Sequence, residues 1–170
     1  MGGGGGIGYY GGAGADNLDG LKDVARDALK SPERPERRRA FISFRHSDLD
    51  KVNFLRMQAK NKKSDLNFID MSLRVPFNST NADYIKSGIR ARIKNASITI
   101  VMASDDTHKS KWVNWEIDET AKMGKKVLVI DARKNAKSPL PGAVGSNKSS
   151  VKVVPWKIDN VMSAIDDLTQ

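Results

Sequence analysis

The chain is expected to fold as an α/β domain, a five-stranded parallel sheet with helices on both faces. Three observations predict this. Ser97-Ile-Thr-Ile-Val-Met-Ala103 and Lys126-Val-Leu-Val-Ile130 are apolar, β-branched runs of the kind that form strands buried on both faces. Such runs alternate with segments whose apolar residues recur at helical spacing. Each strand run also closes on polar residues: Arg45-His-Ser-Asp48, Asp70, Ser104-Asp-Asp106 and Asp131. Repeated βα units of this length imply right-handed crossovers and the strand order 2-1-3-4-5.

Taken in order, Met1 to Gly20 is glycine-rich and too poor in apolar residues to bury a core. Its glycines follow no strand, so they lack the context of a dinucleotide fingerprint. Leu18 to Leu29 can form a short amphipathic helix, and Ser31 to Arg39 is a charged, proline-broken linker. Residues 1–38 are therefore assigned to a flexible leader and 39–170 to the folded domain. Ala40-Phe-Ile-Ser-Phe44 is the first strand; a helix to Lys60 carries Leu49, Val52, Leu55 and Ala59 inward. Leu66-Asn-Phe-Ile69 is the second strand, followed by a loop from Met71 to Thr80. Thr80 or Asn81 caps a helix with Ile85, Ile89 and Ile93 at four-residue steps. After the third strand, Ser110 opens a helix to Lys122 that Gly124 stops. The fourth strand follows, then a Pro/Gly/Ser loop from Ser138 to Ser150. Val151-Lys-Val-Val154 is the fifth strand and Ile158 to Leu168 the closing helix.

Composition narrows the function. No run approaches the roughly 20 apolar residues that cross a bilayer, so no membrane span is expected. The absence of cysteine removes disulfides, thiol nucleophiles and thiolate metal sites, and fits a cytoplasmic location. The net charge of +9 resides in residues 39–170, where 23 bases face 14 acids. Those bases are scattered and lack an aromatic stacking platform, so nucleic acid is not the expected partner.

Ligands of open α/β sheets sit beyond the carboxyl ends of the strands, where the polar residues above collect. Within Trp112-Val-Asn-Trp-Glu116 an aromatic and a carboxylate lie four residues apart, on one helical face. The plain reading of Glu116 is a surface acid paired with Lys111 or Lys122, and of Trp112 and Trp115, core packing. His46 and His108 show no metal-ligand spacing, Asp105-Asp106 reads as a loop start, and the serines lack a nucleophile elbow. No metal is expected.

Phe41-Ile-Ser-Phe-Arg-His-Ser-Asp48 resembles the first box of Toll/interleukin-1 receptor (TIR) domains, and Trp112 to Glu116 matches the WxxxE pattern of catalytic members. The run Ser110 to Ile117 followed by Gly124 to Ile130 is similar to the TIR-like branch that includes the TIR subunit of Thoeris antiphage systems. The resemblance spans about Arg39 to Gln170. It implies a flavodoxin-like fold and cleavage of the nicotinamide–ribose bond of NAD⁺, which is substrate rather than cofactor. Hydrolysis to ADP-ribose, or release of a cyclised ADP-ribose signal in antiphage defence, is the implied outcome. Glu116 then corresponds to the essential glutamate. Phe44, Arg45, His46, Asp70, Ser104 and Trp115, with the loop around Ser72 to Asn78, are expected around the substrate. The implied partners are NAD⁺, a separate effector that senses the product, and further copies of the chain. A non-catalytic TIR-like interaction module is the rival reading.

A single carboxylate suits this reaction. Glycosidases use a second acid to protonate a poor leaving group. Nicotinamide leaves NAD⁺ neutral and needs no proton, so one acid that stabilises an oxocarbenium-like transition state suffices. Apolar walls from Trp112 and Trp115 are expected to exclude water.

Overall fold

The computed structural model describes residues 38–61, 68–70 and 82–170. The leader, its short helix and linker, and the loop around Ser72 to Asn78 lie outside the described residues, apart from the strand residue Arg38. Five parallel strands are ordered β2-β1-β3-β4-β5, as expected: β1 Arg38–Ser43, β2 Phe68–Asp70, β3 Ile98–Ala103, β4 Lys126–Asp131 and β5 Val151–Pro155. The helices are α1 Leu49–Lys60, α2 Ala82–Asn95, α3 Lys111–Lys122, α4 Gly142–Ser146 and α5 Ile158–Leu168.

Period-two alternation divides the core into two layers. Ala40, Ile42 and Phe44 point to one face with Ile98, Ile100, Met102, Leu128 and Ile130. There they meet Val52, Leu55 and Ala59 of α1 and Val161, Ala164 and Ile165 of α5. On the other face Phe41 packs under Ile85, Ile89 and Ile93 of α2, and Val101, Ala103, Val127 and Val129 pack under Val113 and Ile117 of α3. All six residues of β3 are buried, as an apolar run interrupted only by the β-branched Thr99 requires of a central strand. Among the described residues, no helix is long and apolar enough to cross a membrane.

Two details depart from expectation. The loop from Ser138 to Ser150 contains α4, a single short turn of helix after Pro141. Five residues carry too little periodicity to read; the segment is held because the Ala143 amide donates to Asn114 Oδ1 at 3.0 Å. The second is the height of β2. Asp70 ends that strand, yet its register partner is Ala40, in the row of Ile98 and Lys126 where β3 and β4 begin. It therefore lies about 10 Å, three residues, below the level of Ser43. The expectation that Asp70 stands at the carboxyl rim is corrected: a strand's last residue reaches the rim only if its register brings it there.

Candidate active site

Helix α3 is defined at both ends by its sequence. Ser110 caps it, its hydroxyl accepting from the Val113 amide at 3.2 Å. Gly124 takes φ +71°, and the amides of Gly124 and Lys125 donate to the carbonyls of Ala121 (2.9 Å) and Thr120 (3.1 Å). This is a Schellman ending, which needs the left-handed conformation glycine adopts without penalty. Thr120 clamps the helix to the sheet: its hydroxyl donates to the Glu116 carbonyl at 2.8 Å and lies 2.8 Å from the Thr99 hydroxyl on β3.

The capped helix carries Glu116 inward rather than to the surface. Glu116 is only 7% exposed and its Oε2 accepts a hydrogen bond from the hydroxyl of Ser43, the buried last residue of β1. Burial raises the carboxyl from 4.5 to about 7, against the opposing effect of the Ser43 hydrogen bond. The surface pair with Lys111 or Lys122 is not formed. Lys122 instead reaches Glu119 Oε1 at 3.1 Å, and Glu119 Oε2 also accepts from Arg90 Nε at 2.8 Å.

The loops after β1 and β3, on adjacent strands, are tied across the mouth of the sheet. Arg45 Nη1 donates to the Asp106 carbonyl at 2.9 Å. Asp48, 1% exposed, accepts from Ser104 Oγ at 2.7 Å and from Lys51 Nζ at 2.8 Å. The Ser104 amide is in turn taken up by Thr107 Oγ1 at 2.7 Å. His46 is exposed and opens the 3₁₀ turn His46–Asp48. Among the described residues, no group of three or more His, Cys, Asp or Glu side chains is placed to hold a metal ion.

Two expected substrate contacts have other partners. Phe44 follows Ser43 in an extended chain and so turns to the opposite face, buried in the layer under α1 with the Arg56 guanidinium 5.6 Å from its ring centroid. The period-two pattern already contained that signal, since Phe44 shares parity with Ile42 and Ala40. Trp115 meets Trp112 edge to face at 5.7 Å, with Lys86 and Arg90 of α2 at 5.5 and 5.4 Å from its ring. Its ring contacts brace α2 against α3. Ser43 and Asp48, which hold the acid and the rim, were not singled out from the sequence. Their partners lie 73 and 56 residues away, at Glu116 and Ser104.

These features define a doubly wound α/β domain whose third helix buries one carboxylate against the tip of the first strand. The chain belongs to the family of TIR-like domains of the Thoeris protein ThsB, which matches residues 41–137. No curated protein matches it. Among solved structures it is similar to the Clostridium botulinum CMP N-glycosidase BcmB, at 15% identity and a TM-score of 0.49, over 75% of this chain and 98% of that one.

Proposed function

We propose that the protein cleaves the nicotinamide–ribose bond of NAD⁺ in the cytoplasm and releases an ADP-ribose-derived signal in antiphage defence, read by a separate effector. The observation that supports this is Glu116, a carboxylate withdrawn from water beside the carboxyl end of β1, with a single hydroxyl partner and an ionisation near neutrality. Most buried acids pair with a cation; this one meets none among the described residues. A positively charged pyridinium brought beside it would favour the carboxylate form, so substrate binding itself would lower its pKa.

In the proposed reaction the C1′–N bond breaks with both electrons going to nitrogen, and nicotinamide departs neutral. The positive charge left on the ribose is stabilised by Glu116, more strongly in a buried site than in water. Water then adds at C1′ and yields a proton, giving ADP-ribose; alternatively a nucleophile within the ADP-ribose closes a ring. Arg45 and His46 stand on the loop leaving Ser43, where they would meet the rest of the nucleotide. Ser104 acts one step back, by holding Asp48. Asp70, Phe44 and Trp115 are left out of the proposed site on the geometry above.

A non-catalytic TIR-like interaction module is the second reading, and the 7% exposure of Glu116 favours it, since a buried acid with a serine partner also serves packing. The two separate in cells challenged with phage. NAD⁺ and its nucleotide products are followed by mass spectrometry in wild type and Glu116→Gln. Loss of NAD⁺ with a new ADP-ribose species in wild type alone supports the enzyme. Unchanged pools in both, with partner binding retained, support the module.

A further inference from the structure

On the sheet face opposite Glu116, a groove of about 680 Å³ opens beyond the carboxyl ends of β4 and β5. Asp50, Lys51 and Phe54 of α1 form one side, Asp131, Ala132 and Arg133 the floor and far side, and Trp156 the wall after β5. Its size falls in the range of about 300–1,000 Å³ typical of small-molecule sites. Phe54 and Trp156 lie 6.3 Å apart between centroids at 33°, forming one slanted aromatic wall, and Phe54 remains 41% exposed. Trp156 is half-buried against the core and Phe54 stands open beside it at a shallow concavity; an exposed ring backed by a second one there points to a ligand with a flat ring.

The charged groups sort the ligand further. Arg133 is locked by Asp131, with Nε to Oδ1 at 2.8 Å and Nη2 to Oδ2 at 2.7 Å, while Nη1 donates to the Ser138 carbonyl. A guanidinium has five N–H groups. Two therefore remain without a partner among the described residues, on a side chain that cannot swing away. Lys51 spends one of its three donors on Asp48 and is 33% exposed. Asp50 is exposed, and its carboxylate has no partner among the described residues. A flat ring on the wall, hydroxyls donating to Asp50, and an anion at Arg133 and Lys51 together describe one molecule.

We propose that this groove is a second nucleotide site: the base lies on Phe54 and Trp156, the ribose hydroxyls on Asp50 and the phosphate on Arg133 and Lys51. It does not rest on the Glu116 reading: the two sites lie on opposite faces, and their one link is Lys51, which also donates to Asp48 at the rim. An organic cation is the competing occupant of an aromatic wall with an acid beside it. Lys51 and Arg133 are matched at the rim by Asp50 and Asp131; what opposes a cation is the pair of N–H donors left on Arg133 and the chain's net charge of +9.

The test is calorimetric titration of the full chain with AMP, adenosine, inorganic phosphate and choline. AMP is expected to bind, with adenosine and phosphate each weaker. Phe54→Ala and Asp50→Asn should each weaken AMP by about tenfold, on the scale of a lost stacking or charged contact. Both positions are exposed, so folding, followed by circular dichroism, should be retained. Glu116→Gln should bind AMP as wild type does, whatever becomes of NAD⁺ cleavage. No AMP binding at millimolar concentration overturns the proposal, as does an affinity unchanged in both groove variants, loss of binding in Glu116→Gln, or choline binding more tightly than AMP.

Discussion

Glu116 and Glu119 stand three residues apart on α3, each 7% exposed, yet their carboxyls shift in opposite directions. Glu119 meets Arg90 and Lys122, and the Arg90 hydrogen bond above all holds its carboxyl below the ordinary range. Glu116 meets Ser43 alone, and burial pushes it up to about 7. Similar exposure thus produces a compensated acid that stays ionised and an uncompensated one poised to change charge. The difference lies in what each helical turn faces. One turn looks across to the cations of α2 and the end of its own helix; the other looks down on the tip of β1. The partners decide whether a withdrawn carboxylate braces the fold or remains available for chemistry.

The largest expected effect breaks the comparison outright. Glu116→Gln should lower NAD⁺ cleavage by about 10²–10³-fold, the usual cost of removing a preorganised electrostatic stabiliser. Glu119→Gln should leave turnover within a few-fold. Equal losses in both would mean that the helix as a whole, and not one acid, matters.

Next in size is a pH effect on stability. Glu116 ionises at about 7 in the folded chain and near 4.5 unfolded, so the folded state binds more protons between those values. Its contribution is fully present below pH 4.5 and is lost as pH rises to 7, about 3 kcal/mol in all. Urea midpoints across pH 4–8 should show this loss in wild type relative to Glu116→Gln, which lacks the titration. Parallel curves for the two proteins would sink the assignment.

Ser43→Ala sharpens the comparison rather than breaking it. Its hydroxyl favours the ionised Glu116, so its removal should move the pH midpoint of kcat/KM upward, with a stability loss of about 1 kcal/mol. A stability loss with no shift in midpoint would make Ser43 a packing residue only. The smallest effect belongs to Glu119→Gln, at most about 1 kcal/mol by denaturant titration, because Arg90 and Lys122 are 47% and 69% exposed and solvent screens both pairs.

The order of strands and helices was legible in the chain because each element carries its own period. The run Ile98 to Ala103 is apolar but for the β-branched Thr99, Ile85, Ile89 and Ile93 repeat at a helical step, and Ser110 and Gly124 mark the ends of α3. Glu116 was visible only through the WxxxE resemblance; its own neighbours favoured a lysine pair on the surface. The groove between α1 and the tips of β4 and β5 left no trace, since Phe54, Arg133 and Trp156 come from three separate elements.

What the sequence determined by itself is the set of local choices: which segments are strand or helix, where the helices start and stop, and that their βα alternation makes a parallel sheet. What only the tertiary structure decided is which side chains meet. Ser43 finds Glu116 across 73 residues, Lys122 goes to Glu119, Phe44 turns from the site and Asp70 lies low on the sheet. Periodicity is a property of neighbours along the chain, whereas register, burial and ionisation depend on partners that folding alone brings near.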